Sequence, residues 1–309
     1  MTVQEITAPP GYKLDTEVHT YYVDGSQLVS DVYELVPDDI TEEVQRGGLT
    51  IQKKDSQTGA TPQGDASLAG ISFEVVNESQ NAVVVGGRTI QPGQVATTIT
   101  TNASGVATTG ANALPYGDYT VRESATNDSM LLTFTEEISV TIDEDGEMLE
   151  YEAEDEVVRG GITVTKQDSQ TGSTPQGNAS FAEIDFEIVN RSANPVVVNG
   201  TTYAVGDVVM TITTDESGTA STGNDALPYG TYEVRESATN ESMLLTWTGE
   251  TVTVRQNGHS VAITAVNDVE RGGLSLQKTA YEIGSGLVGS EMCIRDRGQG
   301  VRRGHGHRR

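Results

Sequence analysis

Three side chains stand out because strand periodicity turns them toward apolar faces. Leu49, Ile51 and Lys53 alternate with Thr50 and Gln52, and successive strand side chains point to opposite faces. Lys53 therefore shares a face with two aliphatic residues. By the same parity Glu123 continues the face of Tyr119 and Val121, and Asp155 continues that of Leu149, Tyr151 and Ala153. A second set obeys the same rule: Lys166 with Ile162 and Val164, Glu236 with Tyr232 and Val234, and Asn267 with Val261, Ile263 and Ala265. Each residue alone has an ordinary explanation, since a strand-end lysine snorkels to solvent and a strand-end glutamate is usually solvated. Three together, twice over, ask for a common cause.

Two kinds of chemistry meet that demand. Buried charges persist when paired, so a buried salt-bridged triad is one reading. The other is an amide bond between the lysine amine and the carbonyl of Asp or Asn. That reaction needs a neutral amine, and desolvation lowers a lysine's pKa. A glutamate in the same apolar pocket should have a raised pKa, letting it shuttle protons and polarise the acceptor carbonyl. Aspartate would release water and asparagine ammonia. The exchange of Asp155 for Asn267 suits this bond, whereas Asn267 offers Lys166 no charge to pair with.

The elements that must position these residues come from an internal repeat. KKDSQTGATPQGDAS from Lys53 returns as KQDSQTGSTPQGNAS from Lys166, at an offset of 113. ALPYGDYTVRESATNDSMLLT from Ala113 returns as ALPYGTYEVRESATNESMLLT from Ala226 at the same offset, and RGG stands at Arg46, Arg159 and Arg271. Two complete repeats follow, residues 47–159 and 160–271. Residues 1–46 read as the latter part of an incomplete repeat, and residues 272–280 as the first strand of another. In the first repeat the predicted strands are LTIQK, ISFEVVN, TTITT, YTVRE, MLLTFT, ISVTID and MLEYEAE. SQTG, NASG, LPYG and DEDG separate them as turn signals. Seven or so short strands in about 110 residues predict an all-β fold of tandem Ig-like β-sandwiches.

Composition narrows the function classes. A formal charge of −26 argues against nucleic acid as a partner, which normally needs a basic surface. No apolar run reaches the roughly 20 residues of a membrane span. The one cysteine, Cys293, leaves no disulfide to hold the repeats together. MTVQEITAPPGY lacks the basic and apolar regions of a signal peptide, so export is expected to be encoded upstream. His19 and His259 stand at non-equivalent positions, and neither a phosphate loop nor a G-x-S-x-G elbow is present, so no cofactor, metal or hydrolase site is expected. TIDEDGE from Thr141 carries the oxygen donors Asp143, Asp145 and Glu147 of a calcium loop. The matching VRQNGHS keeps only the turn glycine, so a β-hairpin turn is expected there. Six arginines lie between Arg295 and Arg309, whereas residues 1–290 carry 13 bases against 43 acids. GLVGSEMCIRDR resembles translated sequencing-adapter read-through, so residues 281–309 are expected to be non-native and receive no role.

The K-x-D of the first strand, the L-P-x-G-x-Y-x-V-x-E of a late strand and the final Asp or Asn together resemble the prealbumin-like, Cna B-type repeats of Gram-positive surface adhesins and SpaA-type pilins. VQEITAPPGYKLD at the N-terminus is similar to that family's V-x-E-x-x-A-P-x-G-Y-x-L motif. The resemblance covers residues 1–280 or so. It implies isopeptide crosslinks Lys53–Asp155, with Glu123 catalytic, and Lys166–Asn267, with Glu236 catalytic. Glu5 would be the catalytic glutamate of the leading partial repeat, with Asp38, Asp39 and Glu42 competing as acceptor. Lys54 and Asp268 compete as neighbours, and face parity favours Lys53 and Asn267. Both full repeats depart from the family in replacing A-P-x-G-Y by ATNDS or ATNES. The implied protein is an extracellular cell-wall stalk, self-crosslinking rather than an enzyme with turnover, whose partners are neighbouring pilin subunits. The alternative is an adhesin module binding a host matrix protein or glycan, for which the divergent stretches VNESQNAVVVGGRTIQPGQVA and VNRSANPVVVNGTTYAVGDVV are the candidate site.

Overall fold

Val, Ile, Thr, Tyr and Phe alternate with polar residues along short segments, which gives each strand one face to bury. The computed structural model describes residues 2–20, 28–29, 32–33 and 41–275. Among them every regular element is a strand. In the first repeat the opening strand Arg46–Asp55 lies at the centre of one sheet. It pairs antiparallel with Val106–Thr108 and Leu114–Pro115, and parallel with the closing strand Met148–Val157. Met130–Leu131 extends that sheet beyond the closing strand. The other sheet runs Ile138–Ile142, Gly117–Ala125, Ser72–Asn77, Val95–Thr100, all antiparallel. Leu49, Ile51, Phe73, Val75, Tyr119 and Val121 fill the space between the two sheets. The second repeat is built alike. Its opening strand Arg159–Asp168 lies parallel to Ser260–Asn267, and its second sheet runs Val208–Thr213, Asp185–Asn190, Gly230–Ala238, Glu250–Val254. The chain is therefore all-β, two prealbumin-like sandwiches in tandem.

The parallel pair decides which side chains meet. Lys53 is opposite Ala153 and Asp55 opposite Asp155; Lys166 is opposite Ala265 and Asp168 opposite Asn267. Asp155 and Asn267 thus lie two residues past the lysine's own partner, on the same face. That partner is alanine both times, which leaves room for the lysine stem to lean toward the acceptor. A buried tyrosine fixes the neighbouring corner: Tyr119 and Tyr232 each donate their hydroxyl, at 2.8 Å, to the carbonyls of Pro115 and Pro228.

Several sequence expectations change. MLLTFT is a strand only at Met130–Leu131, because the N–H groups of Thr133 and Phe134 turn to Asp155 instead of a neighbouring strand. Val83–Val85 and Arg88–Ile90 form a hairpin inside the first divergent stretch. The turn after Ile142 is not a hairpin: Ile138–Ile142 and Met148–Val157 belong to different sheets. Asp145 there accepts the N–H of Arg46 at 3.0 Å and pairs with Lys13 at 3.3 Å, so it ties the turn to the start of the repeat. Asn257 accepts the Arg159 N–H at the matching place. Residues 271–275 hold no strand. The rest of the segment 272–280, and all of 281–309, lie outside the described residues.

Candidate functional site

The opening, glutamate-bearing and closing strands deliver one polar side chain each to the end of the core. Lys53 and Asp155 have no exposed surface, Lys166 and Asn267 are 1% exposed, and Glu123 and Glu236 are 8% exposed. Each glutamate stands opposite a core phenylalanine, Phe73 or Phe186, beside a β-bulge. A bulge re-aims a side chain locally, and here it ends regular pairing where the carboxylate enters the pocket. Lys53 Nζ lies 2.6 Å from Glu123 Oε2 and 2.9 Å from Asp155 Oδ2. Lys166 Nζ lies 2.8 Å from Glu236 Oε2, and Asn267 Nδ2 donates to Glu236 Oε1 at 2.7 Å. Rings wall the amines in. Lys53 Nζ is 5.9 Å from the Phe73 centroid and 5.7 Å from that of Phe134. Lys166 Nζ is 5.7 Å from Phe186, which packs edge-on against Trp247.

Electrostatics follow from the lost water. Burial pushes the Glu123 carboxyl up from 4.5 to about 7; the hydrogen bond from Lys53 opposes the shift and the Asp155 carboxyl adds to it. Glu123 Oε1 is buried with no hydrogen-bond partner, and Asp155 Oδ2 is buried with only the Lys53 amine beside it. A proton on Glu123, favoured by its raised pKa, lets this carboxyl donate toward Asp155. In the second repeat the Asn267 amide supplies that hydrogen itself. Burial lowers the pKa of Lys166, with Glu236 opposing.

Sequence reasoning missed the groups that hold the acceptor's other oxygen. Asp155 Oδ1 accepts from the N–H of Thr133 at 2.9 Å, the N–H of Phe134 at 2.8 Å and the Thr133 hydroxyl at 3.2 Å. Asn267 Oδ1 accepts from the N–H of Trp247 at 3.1 Å. These are backbone donors on a non-strand segment, so residue types carry no signal for them beyond the repeated LLT. The competitors named above go elsewhere. Lys54 pairs with Glu152 at 2.5 Å, away from the pocket, and Asp268 accepts from the Ser169 hydroxyl.

Glu5 accepts the N–H of Asp15 at 2.7 Å, and among the described residues no lysine meets it. Among the described residues no hydrogen bond links Glu42 to Glu5, and Glu42 Oε2 is buried without a partner; Asp38 and Asp39 lie outside the described residues. Asp15, Glu17 and His19 gather their ligand-type atoms within 4.8 Å. Their bonding is met internally, by a 2.9 Å His19–Asp15 pair and an N–H of Glu17 donated to Asp15.

A lysine on the opening strand, an Asp or Asn on the closing strand and a glutamate from the facing sheet define a class of β-sandwich module with a buried polar triad in its core. The SpaA family model, a prealbumin-like fold domain, matches residues 47–157 and 160–269, and the chain belongs to that family. In structure the chain is similar to the Bacillus anthracis TIE protein, with 26% identity and a TM-score of 0.52 over 86% of this chain. It spans 41% of the length of that protein. It is also similar to GBS52, the minor pilin of Streptococcus agalactiae, with 19% identity, a TM-score of 0.30, and coverage of 75% of this chain and 100% of that one. The shaft pilin of Lactobacillus rhamnosus GG aligns at 15% identity and a TM-score of 0.29, over 75% of this chain and 99% of its own. No curated protein matches the chain.

Proposed function

We propose that the chain is a stalk segment of a Gram-positive surface pilin or adhesin, and that each repeat closes a Lys–Asp or Lys–Asn amide bond within itself. The carrying observation is the dry contact of Lys53 with Glu123 and Asp155, matched at Lys166, Glu236 and Asn267. The atom placement supports a division of labour. The oxygen that stays, Oδ1, rests on backbone N–H groups that stabilise developing negative charge. The group that leaves, Oδ2 of Asp155 or Nδ2 of Asn267, rests on the glutamate, which protonates it as general acid. In the first repeat Lys53 gives one proton to the Glu123–Asp155 carboxyl pair and its neutral nitrogen attacks the Asp155 carbonyl carbon; the N–C bond forms, the C–Oδ2 bond breaks, and Oδ2 leaves with that proton and one from the amine as water. In the second, the Lys166 nitrogen replaces Nδ2, which leaves as ammonia and carries away the ammonium proton. Each repeat reacts once, with itself, so no turnover follows.

The register supports a mechanical role. Force entering at Arg46 runs along the opening strand to Lys53, crosses the bond to Asp155 and leaves two residues later at Val157. The roughly 100 residues between the bonded pair carry none of it, and closing a loop of that size contributes about 4–5 kcal/mol in the chain-entropy account borrowed from disulfides. An extracellular, cell-surface location and association with neighbouring pilin subunits belong to the same reading.

Intact-mass spectrometry of the whole chain tests it. The expected mass is short by one water and one ammonia. Glu123→Ala should restore the water alone, slowing the first bond by roughly 100-fold or more, while the ammonia stays lost. A wild-type mass equal to the unreacted sequence leaves a buried ion-paired core and no crosslink.

A further inference from the structure

The first two RGG triplets take no part in the buried triads, yet each closes a junction built the same way. One residue, Gln45 or Val158, precedes the arginine. Its N–H donates backward, Gln45 to the Gly11 carbonyl at 2.8 Å and Val158 to the Ser129 carbonyl at 2.9 Å. Its carbonyl accepts from ahead, from the N–H of Tyr116 at 2.9 Å and that of Tyr229 at 2.7 Å. The arginine side chain then grips carbonyls of the repeat it opens. Arg46 donates to Ala113 at 3.3 Å and Val84 at 3.1 Å, and Arg159 to Ala226 at 2.7 Å and to Asp225 and Val197 at 3.0 Å. The second glycine is there because another backbone passes close. A Cβ on Gly48 would stand 2.0 Å from the Gly110 carbonyl oxygen, and one on Gly161 would stand 1.7 Å from that of Gly223, so neither site admits a side chain.

Between the two full repeats this junction leaves no slack. Val158 alone separates the closing strand Met148–Val157 from the opening strand Arg159–Asp168. Tyr229 of the second repeat packs against the core of the first, with the Arg255 guanidinium 4.4 Å from its ring centroid.

The loop after the first opening strand makes a second attachment. Asp55 anchors it by accepting the N–H groups of Gln57 at 2.8 Å and Gln63 at 3.1 Å. Gln63, 2% exposed, donates Nε2 to Gln57 at 3.0 Å and accepts the Val197 N–H on Oε1 at 3.1 Å. Gly64 donates its N–H to the Pro195 carbonyl and accepts from the Asn194 N–H, both at 3.0 Å, and the Asp65 N–H donates to the Tyr229 carbonyl at 3.0 Å. The Asp65 carboxylate takes the Ala193 N–H at 2.8 Å and the Thr231 hydroxyl at 2.6 Å. A Cβ on Gly64 would stand 2.2 Å from the Tyr229 carbonyl oxygen.

A single linking residue leaves two soft dihedrals, and neighbouring domains move against each other by default. Here one repeat holds the linker's N–H, the other holds its carbonyl, and the loop ties the two repeats a second time. Neither dihedral is left free to turn.

We propose that the X-R-G-G junction and the loop of residues 62–65 form a rigid coupling that holds the two full repeats at one fixed angle. Tension and torque then pass from one repeat to the next without a hinge. In a stalk the two devices are complementary: a crosslink keeps a repeat from unravelling, and the coupling keeps successive repeats from folding back on each other. The coupling is independent of the crosslinking reading, since no triad residue takes part.

Residual dipolar couplings of the backbone amides in the full chain test this proposal. In the wild type a single alignment tensor should fit both repeats. Inserting Gly-Gly between Val158 and Arg159, together with Gly64→Ala, should abolish that common fit and leave each repeat with a tensor of its own. Asp65→Ala in place of Gly64→Ala keeps the loop backbone unstrained and should act the same way. Separate tensors in the wild type, or a common tensor that survives both combinations, would overturn the proposal. Intact mass of the same samples keeps the two readings apart. A common tensor in an unreacted chain supports the coupling and removes the crosslink, and separate tensors in a fully crosslinked chain do the reverse.

Discussion

The first and second repeats share strands, register and core, and differ at the acceptor by a single functional group. Asp155 is held at Oδ1 by two backbone N–H groups and a hydroxyl, while Asn267 is held by one N–H. The glutamate faces a carboxyl in one repeat and an amide in the other. Because an amide has distinct ends, the second repeat reveals which atom faces the acid. Asn267 presents its nitrogen to Glu236, and the equivalent oxygen of Asp155 is the one lying beside Lys53. The backbone N–H groups, not the glutamate, hold the remaining carbonyl oxygen in both. In the proposed reaction this arrangement gives the glutamate to the leaving group and the carbonyl oxygen to the backbone N–H groups.

Exchanging the acceptors should have the largest effect. Asp155→Asn should switch the first repeat from loss of water to loss of ammonia, and Asn267→Asp should do the reverse in the second, as read by intact mass. A first repeat that forms no bond with asparagine would show that the surrounding donors, rather than the leaving group alone, divide the two sites.

The repeats should also part in pH dependence. In the first, Glu123 must hold its proton to act as the acid, and burial places its pKa at about 7. In the second, burial lowers the pKa of Lys166 with Glu236 opposing, which favours its neutral amine. Chain unfolded before it has reacted, then refolded across a pH series, should close the first bond about tenfold more slowly per pH unit above 7. The second bond should not follow that fall, because deprotonating Lys166, whose pKa burial lowers, supplies its nucleophile. Two profiles falling together would remove the assignment of Glu123 as the acid of the first repeat. Linkage has a matching sign. The folded pKa of Glu123 is raised from 4.5 to about 7, so the unreacted repeat binds more protons folded than unfolded in that window. The stability tied to this carboxyl is full below 4.5 and is lost as pH rises through about 7.

Thr133→Val should give the smallest change. It removes the hydroxyl that reaches Asp155 and accepts from the Glu156 N–H but leaves both backbone donors in place. A loss of about 1 kcal/mol would slow the first bond severalfold and leave the second untouched, as measured on the same refolding time course.

Much of the site was legible because strand parity is local. Lys53, Glu123 and Asp155 each sit where an apolar alternation continues, and the 113-residue offset doubles every observation. Lys54 and Asp268 were separated from Lys53 and Asn267 by the same parity. The hairpin expected after Ile142 failed because a turn sequence specifies a reversal, not the sheet its second strand joins. LLTFT reads as strand by composition, yet its N–H groups serve a carboxylate across the sandwich, and composition cannot report that.

Alternation and repetition by themselves determined the all-β class, the two repeats and the six buried polar residues, since each depends on neighbours along one strand or on identity between segments. Only tertiary structure decided that the opening and closing strands run parallel in a register two residues short of the acceptor. It likewise decided that Thr133, Phe134 and Trp247 turn their amides inward. Those facts depend on contacts between segments far apart in the chain, and burial gives them their chemistry by withdrawing the water that would otherwise hold every one of these charges apart.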